Sequence, residues 1–373
     1  MRTRRRARAS ATRAVTRAPQ LPALDGLRAV AVFIVIAYHA GLMQGIPGDL
    51  GVTLFFVLSG FLITWLLLRE FAATESISIR KFYARRALRI FPAYYVFILF
   101  SLALDTALGH RWSLGLITVA FTYLVNYYNA FLGHPTTSIA HAWSLAVEEQ
   151  FYLLWPLACL ALLRRSRESA ARAVAFVIVA VVAWRSALFL IFHAPTSYVY
   201  NAFDTRCDAL AIGCFLALSS ERKWFHGLEQ RVRSSSLLPL VTLGLIWLSR
   251  HYGSSDYHYS IGMTVEAALI ALFIIQMLGV STSPLWSWLN HPVTRWLGLI
   301  SYPSYLYHEW GLSVGERVLP HAPKLLTFAV GYAATLCFAW GSYRIIERPF
   351  LAIKDRLSTS PPSAHEVATI PGL

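Results

Sequence analysis

Between Gly51 and Leu68 the chain reads G-V-T-L-F-F-V-L-S-G-F-L-I-T-W-L-L-L, eighteen residues without a charge. As a helix rising 1.5 Å per residue this stretch extends about 27 Å, close to the roughly 30 Å apolar depth of a bilayer. Similar runs recur on both sides of it: Leu27 to Met43, Ile90 to Leu108, Leu114 to Leu132, Ala146 to Leu163, Val174 to Phe192, Cys207 to Leu218, Leu237 to Ser249, Ile261 to Val280, Trp296 to Val314 and Leu325 to Ile346. Of the 373 residues, 56% are hydrophobic and only 14% charged, with a mean hydropathy of +0.51. A soluble globule carries nearly twice that charge density, so the sequence predicts an all-α polytopic membrane protein. The formal charge of +14 does not point to nucleic acid, because the arginines sit at the edges of apolar runs rather than among polar residues. Cys159, Cys207, Cys214 and Cys337 lie in or beside apolar stretches without ligand spacing, and read as small hydrophobes.

Charge orders the spans. The first twenty residues carry seven arginines and no acid, and the apolar run that follows lacks a small-residue cleavage site, so it reads as an uncleaved first span. With that end inside, the segment holding Arg69, Arg80, Lys81, Arg85, Arg86 and Arg89 also falls inside. The basic segments from Arg164, Glu221 and Ile346 fall inside as well if both termini do. Eleven crossings cannot satisfy both halves. Leu114 to Leu132, made polar by Tyr123, Asn126, Tyr127, Tyr128 and Asn129, is the one to withdraw and reads as a membrane-embedded or re-entrant helix. About ten transmembrane helices remain. The expected organisation is a basic cytoplasmic tail over 1–20, a membrane domain over 21–350 and a disordered cytoplasmic tail over 351–373. No appended extracytoplasmic domain is expected.

Polar residues inside these runs are the candidates for chemistry, since an ionisable group in a bilayer is costly. His39 follows Arg28 by eleven residues on one helical face, about 16 Å further along the axis. That spacing puts Arg28 at the cytoplasmic mouth and His39 near mid-membrane, either as a base or as a histidine bonded to a neighbouring helix. Ser59 and Gly60 read first as packing residues, with a nucleophilic Ser59 as the alternative. Arg85, Arg86 and Arg89, at helical spacings of three and four beside Phe82 and Tyr83, form a cationic patch. Such a patch suits phosphate as well as topology. In W-S-L-A-V-E-E-Q-F-Y-L-L-W-P, Glu148 and Glu149 point about 100° apart, so only one is expected to face a given site. The density of Trp143, Ser144, Glu148 and Tyr152 there favours function over an interfacial belt. His308, twelve residues after Trp296, is expected at the depth of His39. Arg344 and Glu347, three apart, read as a structural helix-end pair.

L-D-G-L-R with a histidine eleven residues after its arginine, F-F-V-L-S-G-F-L-I-T, F-Y-A-R-R-A-L-R-I-F-P-A-Y-Y, the W-S-L-A-V-E-E-Q run, T-R-C-D-A-L-A-I-G-C and S-Y-P-S-Y-L-Y-H occur in order. Together they resemble the acyltransferase-3 family of integral membrane O-acyltransferases, from about Leu21 to Phe350. The resemblance implies ten membrane helices and transfer of an acyl group from cytoplasmic acyl-CoA, acetyl-CoA foremost, to a hydroxyl of a glycan, lipid-linked sugar or secondary metabolite. It further implies His39 as base with Arg28 as its motif partner, Glu148 as the family's acidic position, and Arg85, Arg86 and Arg89 as coenzyme A contacts. Trp143, Glu149, Ser59 and His308 are left as supporting residues. One departure stands out: many members carry an acid where this chain has Thr53, so another carboxylate must orient His39, or none does. No metal and no nucleic-acid partner are expected; membrane lipid and a hydroxylated acceptor are. The expected location is a bacterial inner or plasma membrane, and the rival reading is a transporter or flippase with an intramembrane His/Glu path.

Overall fold

The computed structural model describes residues 22–43, 48–232 and 234–357, and every described element is helical. The basic segment 1–20 and the tail beyond Leu357 lie outside the described residues. Helix α1 is Pro22–His39, α2 Asp49–Thr74, α3 Ile79–Ala107, α4 Leu114–Phe121, α5 Val125–Leu132, α6 Trp143–Leu163, α7 Arg167–Leu190, α8 Thr196–Asn201 and α9 Phe203–Ser219. Then follow α10 Lys223–Val232, α11 Leu238–Tyr252, a short turn and a π-turn at His258–Gly262, α12 Met263–Val280, α13 Pro292–Leu299, α14 Ser301–Val318, α15 Lys324–Ser342, a π-turn at Tyr343–Glu347 and α16 Arg348–Leu357.

Among the described residues, seven helical stretches are long and apolar enough to cross a membrane: those of α1, α2, α3, α6 and α7, Ser255–Val280, and Lys324–Ile353. Three further helices of 15 to 18 residues, α9, α11 and α14, pack against these, and the expected count of about ten spans is not reached by length and composition alone. Large apolar side chains face outward, among them Phe176, Val179, Ile191 and Leu153. An aqueous monomer does not tolerate so wide an apolar surface, whereas lipid does. The chain is an integral membrane protein.

The suspect segment breaks as its polarity suggested. Tyr123 takes a left-handed backbone (φ 55°), separating α4 from α5, and eight residues apiece are too short to cross. Ser113 caps α4 by accepting from the Leu116 amide at 3.1 Å. The stretch Trp296 to Val314, expected as one span, is interrupted at Ile300 between α13 and α14. α3 begins at Ile79 rather than Ile90, so the arginine patch and the third span share one continuous helix through Pro92.

At the centre α2 crosses α9 with no side chain between them. A Cβ on Gly60 would strike the Leu210 carbonyl, and one on Gly213 would meet the Val57 carbonyl and the Phe61 amide. The packing role expected of Gly60 is therefore met by a second glycine on the facing helix. A fully buried ion pair, Arg185–Asp208 at 2.8 Å, ties α7 to α9.

Candidate active site

α1 ends at His39, four residues short of the expected Met43, and Gly41 then takes φ 70° to turn the chain. His39 consequently lies at the end of its helix rather than in the middle of a span, with its side chain 33% exposed to a cavity of about 390 Å³. Aromatic rings of Tyr38, Trp143, Tyr200 and Tyr305 line that cavity together with Asp49 and His134. The His39 Nδ1 lies 2.9 Å from the Val35 carbonyl oxygen. A carbonyl can only accept, so Nδ1 carries the proton and the Nε2 lone pair is left free. His308, fully buried, is held the same way by the Tyr305 carbonyl at 2.7 Å, and its ring centroid is 4.8 Å from that of His39. The Glu309 Oε1 lies 3.9 Å from the His39 Nε2 and 3.7 Å from the His308 Nε2. His141 is buried against His308, ring centroids 4.6 Å apart. The walls of the cavity desolvate His134 and hold it below the usual imidazole range, and the nearby His39 adds to the effect.

A polar stripe leads inward from this cavity along α6. Ser144, Glu148 and Tyr152 follow one another at intervals of four, so they share a face and descend about 12 Å. Each is bonded to a different helix. Ser144 Oγ lies 2.6 Å from the Tyr305 hydroxyl of α14, and that hydroxyl donates its proton to the His141 carbonyl at 3.0 Å. Glu148 accepts from the Ser59 hydroxyl of α2, and from Tyr152 at 2.9 Å. The Arg86 guanidinium of α3 lies 3.5 Å over the Tyr152 ring.

Arg86 opens the inner cluster. Its Nε is 3.5 Å from Glu149, while Glu148 lies within electrostatic reach of the same arginine. The two carboxylates, about 100° apart on α6, take different direct partners: Glu149 meets Arg86 and Glu148 meets Ser59 and Tyr152. Arg28 sits within electrostatic reach of Glu148 and Arg86, and Arg89 near Arg28, Arg86 and Glu347. Arg85 is not brought to this cluster: one residue, or about 100°, round the helix, it pairs with Glu70 of α2 at 3.1 Å. The expected Arg344–Glu347 pair is replaced. The π-turn over Tyr343–Glu347 shifts the register, sending Glu347 inward while Arg344 lies over Trp340 at 5.6 Å.

Of the residues singled out in sequence, His39, His308 and Trp143 meet at the outer cavity, and Arg28, Arg86, Arg89, Glu148, Glu149 and Ser59 at the inner cluster. Thr53 spends its hydroxyl on the Asp49 carbonyl of its own helix at 2.8 Å, and the Asp49 carboxylate pairs with Arg250. The carboxylate beside His39 is Glu309, which sequence reasoning passed over although Y-H-E-W puts an acid directly after an intramembrane histidine. His141, in H-A-W-S, and Tyr305 were passed over too.

An acyltransferase domain family matches residues 21–344 of the chain. The peptidoglycan O-acetyltransferase OatA of Listeria monocytogenes is 32% identical over 352 residues, covering 88% of this chain and 55% of that protein. The putative peptidoglycan O-acetyltransferase YrhL of Bacillus subtilis is 31% identical, over 88% and 54% of the two chains. A putative O-acetyltransferase of Staphylococcus aureus is 30% identical, over 88% and 57%. The chain thus spans about half the length of these relatives. No solved structure matches it.

Proposed function

This chain belongs to the acyltransferase-3 family, and from that premise we propose that it moves an acetyl group from cytoplasmic acetyl-CoA to a hydroxyl of a carbohydrate acceptor on the far side of the membrane. The observation that carries this reading is the stripe Ser144, Glu148, Tyr152, which joins an arginine cluster to a histidine cavity through the interior of an apolar bundle. Arg28, Arg86 and Arg89 offer guanidinium forks to the phosphates of coenzyme A, a group that exposed lysines would hold less specifically. From Arg28 to His39 is about 16 Å along α1, a span that an extended pantetheine arm covers. The thioester then reaches the cavity from within while the acceptor enters from outside, its sugar rings against Trp143, Tyr200 and Tyr38.

In the transfer step the His39 Nε2 takes the proton of the acceptor hydroxyl as that oxygen attacks the thioester carbonyl. The new ester C–O bond forms, the C–S bond breaks, and the thiolate leaves, recovering the proton from the imidazolium. The Val35 carbonyl fixes the tautomer this requires, and Glu309 opposes the positive charge that develops on the ring. Relatives named as O-acetyltransferases of peptidoglycan favour a glycan acceptor.

The test is reconstitution in vesicles with labelled acetyl-CoA on the arginine side and a muropeptide or glycan on the other. Labelled ester on the acceptor supports the reading. A transporter or flippase would leave acetyl-CoA intact, and that outcome would sink it. Topology is checked separately: a cysteine at Gly48 should react with an impermeant reagent from the side opposite both termini, and labelling from the cytoplasm would reverse the donor and acceptor sides.

A further inference from the structure

We propose that His39, His308 and Glu309 form a binding site for a single first-row divalent cation, best matched by zinc. The sequence reading expected no metal, and the geometry of these three side chains points the other way. The two imidazoles and the Glu309 carboxylate converge, one ring nitrogen of each histidine and a carboxylate oxygen lying within 4.8 Å of one another, with Glu309 at 3.9 and 3.7 Å from the two Nε2 atoms. Zinc at about 2.1 Å from nitrogen and oxygen donors in tetrahedral geometry needs those donors roughly 3.4 Å apart. The set closes on an ion when Glu309 moves by about half an ångström and the two rings draw together by up to about 1.4 Å.

Donor chemistry agrees with spacing. Both histidines give their Nδ1 proton to a backbone carbonyl, Val35 and Tyr305 respectively. That is the outer bond which, in metal sites, fixes the ring and leaves Nε2 as ligand. The His308 Nε2 is buried without a hydrogen bond, so one of the two lone pairs lacks a partner that a cation would supply. Two neutral imidazoles and one carboxylate carry a single negative charge, and this nitrogen-rich set suits zinc over magnesium or calcium. The cavity beside His39 leaves the remaining coordination positions open to water or a ligand oxygen.

The lone pair a cation would occupy on His39 is the one the proposed base requires. On that reading, which this consequence rests on, bound zinc inhibits transfer reversibly.

The experiment measures binding separately from turnover. The detergent-purified full chain, stripped with a chelator, is titrated with Co²⁺ followed by its visible d–d bands and with Zn²⁺ by calorimetry, alongside Glu309→Gln and His308→Ala. One ion per chain in the wild type, bound at least roughly tenfold more weakly in both variants, is the expected result. Absence of stoichiometric binding, or equal binding in wild type and Glu309→Gln, overturns the proposal. Glu309 is 38% exposed and its amide is nearly isosteric, so this variant keeps the test valid if His308→Ala fails to fold. Acetyl transfer by metal-free protein with no zinc binding would leave the proposed function standing and remove the metal site. Stoichiometric zinc binding without any acetyl-CoA turnover would do the reverse.

Discussion

The outer histidine cavity and the inner arginine cluster both place ionisable groups inside an apolar bundle, yet they are built on opposite plans. At the inner cluster, Glu148 accepts from Ser59 and Tyr152, and Arg86 is held by Glu149 at 3.5 Å and a ring at 3.5 Å. At the cavity the ion-pair distances are 3.7 and 3.9 Å, and His39 and Glu309 stay about one third exposed. A site that holds a fixed polyanion gains from charges already in place. A site that must accept and return a proton, or admit changing ligands, needs lone pairs that are oriented but uncommitted. On the proposed function, binding falls to one end and chemistry to the other.

That division can be broken by substitution. His39→Ala should lower kcat for acetyl transfer by at least ~10²-fold while coenzyme A binding persists. Substantial residual turnover would move the chemistry elsewhere. Arg86→Lys keeps the charge but loses the planar fork, so the KM for acetyl-CoA should rise roughly tenfold with the acceptor KM unchanged. A kcat defect instead would place Arg86 in the chemical step. Tyr305→Phe removes the hydroxyl that joins the stripe to the cavity and should cost about 1 kcal/mol of barrier, near fivefold in kcat, with acetyl-CoA KM steady. A change in the donor KM alone would assign Tyr305 to the inner region. Arg85→Lys, outside the cluster and paired with Glu70, should shift the acetyl-CoA KM by less than about twofold. A tenfold shift there would restore the wider patch expected from sequence.

Much of this arrangement is written in local pattern. Eighteen uncharged residues announce a spanning helix wherever they fall, and the tyrosines and asparagines between Tyr123 and Asn129 mark the segment that breaks in two. Counting residues put His308 at the depth of His39 without bringing the two rings together, and it assumed one span from Trp296 where the helix is interrupted at Ile300. What escaped depends on direction rather than composition. Arg85 and Arg86 are neighbours in sequence but turn to different helices, and Glu309 gains meaning only once α14 lies against the end of α1. The π-turn at Tyr343–Glu347 left no periodic sign that Glu347 would face the arginines. Helical spacing gives the angle between two side chains on one helix, while the facing helix decides which of them is used.

The bare crossing of α2 and α9 at Gly60 and Gly213 sets a timetable for assembly. These glycines are 153 residues apart (213 − 60), so at 5–20 residues per second the partner of Gly60 is synthesised roughly 8–30 s later. During that interval the notch in α2, and Ser59 beside it, face lipid or a temporary protein partner. α6 is made within the wait, so Glu148 is available to Ser59 before α9 is. The expected order is the Ser59–Glu148 contact first, the α2–α9 crossing next and Glu347 last, and cysteine cross-linking of arrested nascent chains reads it directly.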